Sequence, residues 1–236
     1  MSRARRKRRP AITVHGCRIV ILSGVATILF LSCSVCQRDD STGDRNGDAA
    51  ALDTKNLSPI DTLRLLRAHR DAGRFDQLRP YLLPEQRRYV IDLIQAVDRL
   101  DRGNDVLQAA VTRRFGPATA RMFDRSGARN AIGVFSENVK LLTERLDGDT
   151  AVVAIQVADR VPLIDVRLTR HDDRWVLQTD PPIPGMAAEL AKLAEALVAT
   201  ARRLDQEKLT LPELRRELSL REAAVGHRLE KLTNGG

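Results

Sequence analysis

The spacing of apolar residues changes period twice along this chain, and that double change limits the fold more than any other feature. From Ser58 to Phe123 apolar residues return every three or four positions. From Val139 to Thr179 they alternate or run in short β-rich stretches, and from Met186 to Leu232 the helical spacing returns. A helix aligns side chains on one face at 3.6-residue spacing and a strand at two, so a segment patterned for one does not bury its apolar side as the other. Helices, then grouped strands, then helices predict an α+β fold, with N-terminal helices packed on a four-stranded antiparallel meander and a C-terminal helix pair after it.

The punctuation supports those elements. Ser58-Pro59 reads as a helix N-cap with proline at the first helical position, and Asp61 favours the positive helix end. Ile60, Leu63, Leu65, Leu66 and His69 form one face up to Ala72-Gly73, a C-terminal stop. A second helix is expected after Pro84, with Glu85 in its first turn and Val90, Ile91, Leu93, Ile94, Val97 and Leu100 inward. Gly103-Asn104 is expected to break it. A third helix then covers Asp105–Arg114, with Val106, Leu107, Ala110 and Val111 on its apolar face, and Ala118–Phe123 adds a short one.

Strands are expected over Val139–Leu146, Thr150–Ala158, Val161–Arg170 and Arg174–Thr179, joined at Asp147-Gly148-Asp149, Asp159-Arg160 and His171-Asp172-Asp173. Ala151, Val153, Ile155 and Val157 would line one face of the second strand. Pro181 to Gly185 stops the sheet. Met186–Leu204 carries Leu190, Leu193, Leu197 and Leu204, and Pro212–Leu232 carries Leu214, Leu218, Val225, Leu229 and Leu232. These two could pair as an αα-hairpin, cover the sheet, or bind a partner helix.

Upstream of these elements lies an address. Met1–Cys36 holds seven basic residues and no acid, and Ile19–Cys36 carries no charge at all. Eighteen helical residues reach roughly 27 Å, just short of a bilayer's hydrocarbon core. Basic residues before this stretch and acidic ones after it (Asp39, Asp40, Asp44, Asp48) place the N-terminus in the cytoplasm and residues 37–236 outside it, at the cell membrane. Three fates are open: an uncleaved transmembrane signal-anchor; release after Ser32 and Ser34, spaced as a signal peptidase requires; or lipidation of Cys33 in Leu31-Ser32-Cys33. Residues 37–57 are rich in Asp, Gly and Asn and read as a disordered tether. The chain thus divides into a leader (1–36), the tether (37–57), an α+β domain (58–180) and a helical pair (181–236).

A sequence pI near 10 invites nucleic acid as a partner, but the charge distribution excludes it. Setting aside the seven leader cations leaves 32 Lys+Arg against 31 Asp+Glu, and no basic–aromatic interleaving supplies stacking platforms. The three cysteines, Cys17, Cys33 and Cys36, all lie in or beside the apolar segment, so the remainder has no disulfide or thiolate chemistry. No His-x-x-x-His, Cys-x-x-Cys, glycine-rich phosphate loop or Gly-x-Ser-x-Gly is present, and neither metal nor cofactor is expected.

Ser58-Pro-Ile-Asp-Thr-Leu-Arg-Leu-Leu, His69-Arg-Asp-Ala-Gly-Arg-Phe-Asp, Asp147-Gly-Asp-Thr-Ala-Val-Val and His171-Asp-Asp-Arg-Trp-Val-Leu together resemble the nuclear transport factor two-like superfamily. The likeness is to its small exported bacterial members and covers about residues 58–180. It implies a cystatin-like α+β roll whose helices and bent sheet form a cone-shaped pocket, in a superfamily holding both isomerases and dehydratases and many members without catalysis. The extra C-terminal helices depart from the compact pattern.

Enzymes of that shape use a His or carboxylate pointing into the cone. Asp165, in mid-strand between Ile164 and Val166, is the weak catalytic candidate, with Glu144 on the first strand as a partner. Alternation sends half of all strand residues to solvent, so both are expected there. His69 and His171 read as surface residues. Arg113, Arg114, Arg121, Arg125 and Arg129 read as a solvated helix face, and Trp175 as a core anchor. The function expected is a non-catalytic binding or interaction domain outside the cytoplasm, engaging an envelope protein or a small ligand. The alternatives are an isomerase- or hydrolase-type enzyme using Asp165, and a structural homo-oligomer joined through the C-terminal helices.

Overall fold

A computed structural model describes residues 57–124, 126–180, 183–207 and 209–234. Helix α1 (Pro59–Asp71) starts where Ser58 Oγ accepts the Asp61 N–H at 3.2 Å, the capping bond anticipated from sequence. It ends in a Schellman motif, with Gly73 at φ +66° and the Arg74 N–H bonded to the His69 carbonyl at 2.8 Å. A 3-10 segment, Phe75–Tyr81, leads to helix α2, Arg87–Phe115. Gly116 at φ +85° stops α2, and the short α3 (Pro117–Ala120) follows. Further 3-10 turns reach the four strands β1 (Val139–Asp147), β2 (Thr150–Val157), β3 (Ile164–His171) and β4 (Arg174–Gln178). Helices α4 (Met186–Glu207) and α5 (Leu211–Asn234) complete the chain.

The sheet is an antiparallel meander in the order β1-β2-β3-β4, and the α+β class expected from the changes of period is the architecture observed. Ala151, Val153, Ile155 and Val157 all point into the core. They meet Leu63 and Leu66 of α1, Leu78 and Leu82, and Val90, Ile91 and Ile94 from the first half of α2. The second half of α2 closes a separate apolar body. Val97, Leu100, Leu107, Ala110 and Val111 pack there with Leu190, Leu193, Leu197 and Leu204 of α4 and Leu214, Leu218, Val225 and Leu229 of α5. One helix of 29 residues, about 43 Å long, therefore carries two cores in series.

Two expectations are corrected. Gly103-Asn104 does not break the helix, so the expected second and third helices are one: α4 crosses at Gly103 too closely for any side chain, and the Asn104 amide is tied to Asp124 Oδ1 at 3.3 Å. The transmembrane signal-anchor helix is likewise corrected. Among the described residues no helix is long and apolar enough to cross a membrane, because α2, α4 and α5 each set a charged face opposite their apolar one. Ile19–Cys36, on which that expectation rested, lies outside the described residues, as do Cys33 and residues 37–56 of the tether.

α4 lies along α2 rather than on the sheet, and α5 pairs with α4, so that all three share one apolar core. Their leucine stripes, Leu190, Leu193, Leu197 and Leu204 on α4 and Leu214, Leu218 and Leu229 on α5, are buried within the chain, and Leu220 of α5 is exposed.

Candidate functional site

The sheet register separates the two carboxylates singled out from sequence. Asp165 stands opposite Ala154 on the outer face and is exposed. Glu144 stands opposite Val153, a core residue, and its Oε2 accepts the Ile60 N–H at 2.9 Å, satisfying a free donor at the start of α1. The two point to opposite faces and form no pair. The inner face, where a cone would open, is filled by apolar side chains, and among the described residues no His or carboxylate is buried on it.

His69 lies half-buried in the last turn of α1. Burial, and secondarily Arg74, push its pKa below the usual 6.5, which disfavours the charged imidazolium there. Of the arginines in 113–129, Arg113, Arg114 and Arg129 make structural contacts, while Arg121 is exposed to solvent. Arg113 pairs with Asp205 at 2.9 Å; Arg114 bonds the Leu204 carbonyl at 3.1 Å and stacks over Phe115. Arg129 holds Asp101, Asp105 and Glu137 together, and Arg125 lies outside the described residues. Trp175 is buried with the sheet core, as expected. Among the described residues no cluster of three or more His, Cys, Asp or Glu is placed to hold a metal ion.

A site that the sequence did not reveal opens at the far edge of the sheet. The 3-10 segment ends at Tyr81, and Leu82 follows in extended geometry (φ −120°, ψ 143°) ahead of Leu83, which precedes Pro84 and is pushed out of helical geometry; Leu82 forms a single parallel bridge to Leu177 of β4. Gln86 locks the start of α2 to the end of β4: its amide nitrogen donates to the Thr179 carbonyl at 3.1 Å, while its oxygen accepts from the Thr179 N–H at 3.2 Å and hydroxyl at 2.8 Å. Beyond this clamp the β3–β4 turn swings clear. Asp172 (φ +48°) and Asp173 (φ +61°) give it the left-handed pair of a type I′ hairpin.

The cleft between these walls measures about 620 Å³, within the range of small-ligand sites. Leu82 and Val176, both buried, form its floor with Leu83 and Pro84. Arg79 and Arg87 stand on one rim, and His171, Asp172, Asp173 and Arg174 on the other. Arg79 is paired with Asp76 at 3.0 Å, Asp173 lies 3.8 Å from Arg170, and His171 Nδ1 lies 3.1 Å from Asp172 Oδ2. Arg87 bonds only the Leu82 carbonyl, at 3.1 Å, and Arg174 makes no side-chain hydrogen bond or ion pair among the described residues. Among the described residues Arg87 and Arg174 thus line the cleft without an ion-pair partner, while the carboxylates of Asp172 and Asp173 on the same rim lie beside His171 and Arg170. No hydroxyl or thiol side chain lines the cleft; His171, Asp172 and Asp173 are the side chains in its lining that could take part in acid–base or nucleophilic chemistry.

No family model matches this chain, and neither a curated protein nor a solved structure gives a significant match.

Proposed function

We propose that the chain is an exported, non-catalytic binding protein whose cleft between Arg87 and Arg174 takes a small amphipathic anion. The carrying observation is the pairing of a Leu82–Val176 floor with two guanidiniums that have no carboxylate partner among the described residues. A buried apolar floor selects a hydrocarbon body, and an uncompensated guanidinium at its rim selects a carboxylate or phosphate head. The unopposed basic leader and the balanced charge of the remainder support action outside the cytoplasm. Binding is favoured over catalysis because Asp165 faces solvent, away from both the core and the cleft. The resemblance to the nuclear transport factor two-like superfamily agrees with a roll that serves as a binding scaffold.

The test is thermal unfolding of the full chain with decanoate and with decylammonium. Decanoate raises Tm and decylammonium does not; Arg174→Glu abolishes the shift, and Asp165→Asn leaves it intact. Equal shifts by the two amphiphiles, or an undiminished shift in Arg174→Glu, would refute the reading. Protease added to spheroplasts checks the location: digestion of residues 57–234 in intact spheroplasts is expected, and protection until lysis would place them inside.

A further inference from the structure

The most exposed large apolar side chain among the described residues is Val161, 81% accessible, at the tip of the β2–β3 connection. Pro162 beside it is exposed, and Leu163 is 46% exposed. Arg160 precedes them, exposed and without a side-chain partner among the described residues. The acid next to the tip is neutralised: Asp159 is bound by Lys140 of β1 at 2.5 Å. Asp165, the next carboxylate along the chain, stands two residues into β3 on the outer face. The backbone presents the tip rather than folding it back, with Ala158 and Asp159 at φ +50° and +56° and the Arg160 N–H bonded to the Val157 carbonyl at 3.0 Å.

We propose that Arg160-Val161-Pro162-Leu163 inserts into the surface of an anionic lipid bilayer. The chemistry is that of an interfacial anchor, with adjacent apolar side chains for the acyl boundary and a cation for the headgroups. Size decides against a protein partner: four residues fall far short of the roughly 800 Å² per side that a stable protein interface buries, whereas an interfacial contact needs only a few side chains beside a second membrane signal. The inference rests on the proposed export, in which the basic and apolar leader of residues 1–36 directs the chain to the membrane and supplies that second signal. The tip and the cleft lie at opposite ends of β3, seven residues and about 24 Å apart, so insertion at Val161 holds the cleft clear of the lipid. The inference does not depend on the ligand of the cleft.

The experiment reconstitutes the full chain in phosphatidylcholine–phosphatidylglycerol vesicles carrying brominated acyl chains and compares Val161→Trp with Leu220→Trp. Leu220 is an exposed leucine on α5, and both substitutions sit at the surface, where circular dichroism and melting should match the wild type. Val161→Trp emission shifts to the blue and is quenched, while Leu220→Trp adds nothing beyond the buried Trp175 signal. Arg160→Glu in the Val161→Trp background lowers tip occupancy about fivefold. Val161→Trp quenched no more than Leu220→Trp would overturn the proposal. So would equal quenching on phosphatidylcholine alone, which would remove the anionic surface from it.

Discussion

Gly103 of α2 lies directly against the backbone of Ala194 in α4. A Cβ at Gly103 would stand 2.9 Å from the Ala194 carbonyl oxygen and 3.3 Å from its Cα. The obstacle is main chain on both counts, so no rotamer change relieves it. Mid-helix glycine costs roughly 1 kcal/mol of helix propensity relative to alanine, and this contact is the reason for bearing it. The two helices come into backbone contact at the point where the sequence suggests a break.

Gly103→Ala is therefore expected to destabilise the chain despite the better helix former. Overpacking against a rigid backbone costs about 1–3 kcal/mol, against about 1 kcal/mol of recovered propensity, so a net loss of about 1 kcal/mol and a lower Tm are expected. Gly127, whose added Cβ meets nothing within 4 Å, is the control, and Gly127→Ala should leave Tm nearly unchanged. A higher Tm for Gly103→Ala would mean that the helices slide apart without cost.

What the sequence made legible follows from the range of the interaction concerned. Period, caps and turn residues are local, and they gave Ser58, Gly73, the Asp147-Gly148-Asp149 hairpin and the inward face of β2 before any coordinates. Gly103 misled because its local meaning is a stop, and its actual meaning depends on Ala194, 91 residues away. The cleft was hidden for the same reason. Its walls are joined by Gln86–Thr179 and Leu82–Leu177, pairings nearly a hundred residues apart that no spacing rule reports. Asp165 and Glu144 were singled out by type, but only the register reveals that they face opposite sides.

Arg67 fixes the chain as it enters the sheet. Its guanidinium donates to the carbonyls of Val134 and Ser136, both at 2.9 Å, and of Glu137 at 3.1 Å, fastening the segment before β1 onto α1. Burial pushes its pKa down, yet three acceptors satisfy the charged form. Arg67→Met keeps much of the apolar stem and removes all three donors, leaving part-buried carbonyls unmet, with an expected loss of about 2 kcal/mol. Arg67→Lys, a single point charge, should recover only part of it. Hydrogen exchange would localise the effect, with β1 amides exchanging faster while α5 amides keep their protection. Uniform acceleration across both cores would refute this local role.

The α4–α5 hairpin is held by reciprocal ion pairs, and their titration gives the molecule an acid limb of predictable sign. Near the free end of the hairpin, Glu189 of α4 is bonded by Lys192 at 2.6 Å and by Arg228 of α5; near the α4–α5 connection, Glu217 of α5 is bonded by Arg203 at 2.6 Å and Arg221 at 2.8 Å. Lys192 first, and then Arg228, hold the Glu189 carboxyl below its ordinary 4.5. Burial opposes the same effect at Glu217, but Arg221 and Arg203 outweigh it. A carboxylate with a depressed folded pKa binds fewer protons folded than unfolded. Its stabilisation is complete above the ordinary value and is lost as pH falls through the folded one. Glu189 is the more informative of the two, being only 10% exposed at its side chain and bridging both helices. Glu189→Gln should lower stability by about 1 kcal/mol at pH 7, where Arg228 loses its charged partner. It should also flatten the fall in Tm as pH drops below the ordinary 4.5, because the mutant has no carboxylate left to protonate at that position. Melting curves across that range decide the matter: convergence of wild type and Glu189→Gln at low pH is the expected result, and parallel acid limbs would show that Glu189 carries no linkage.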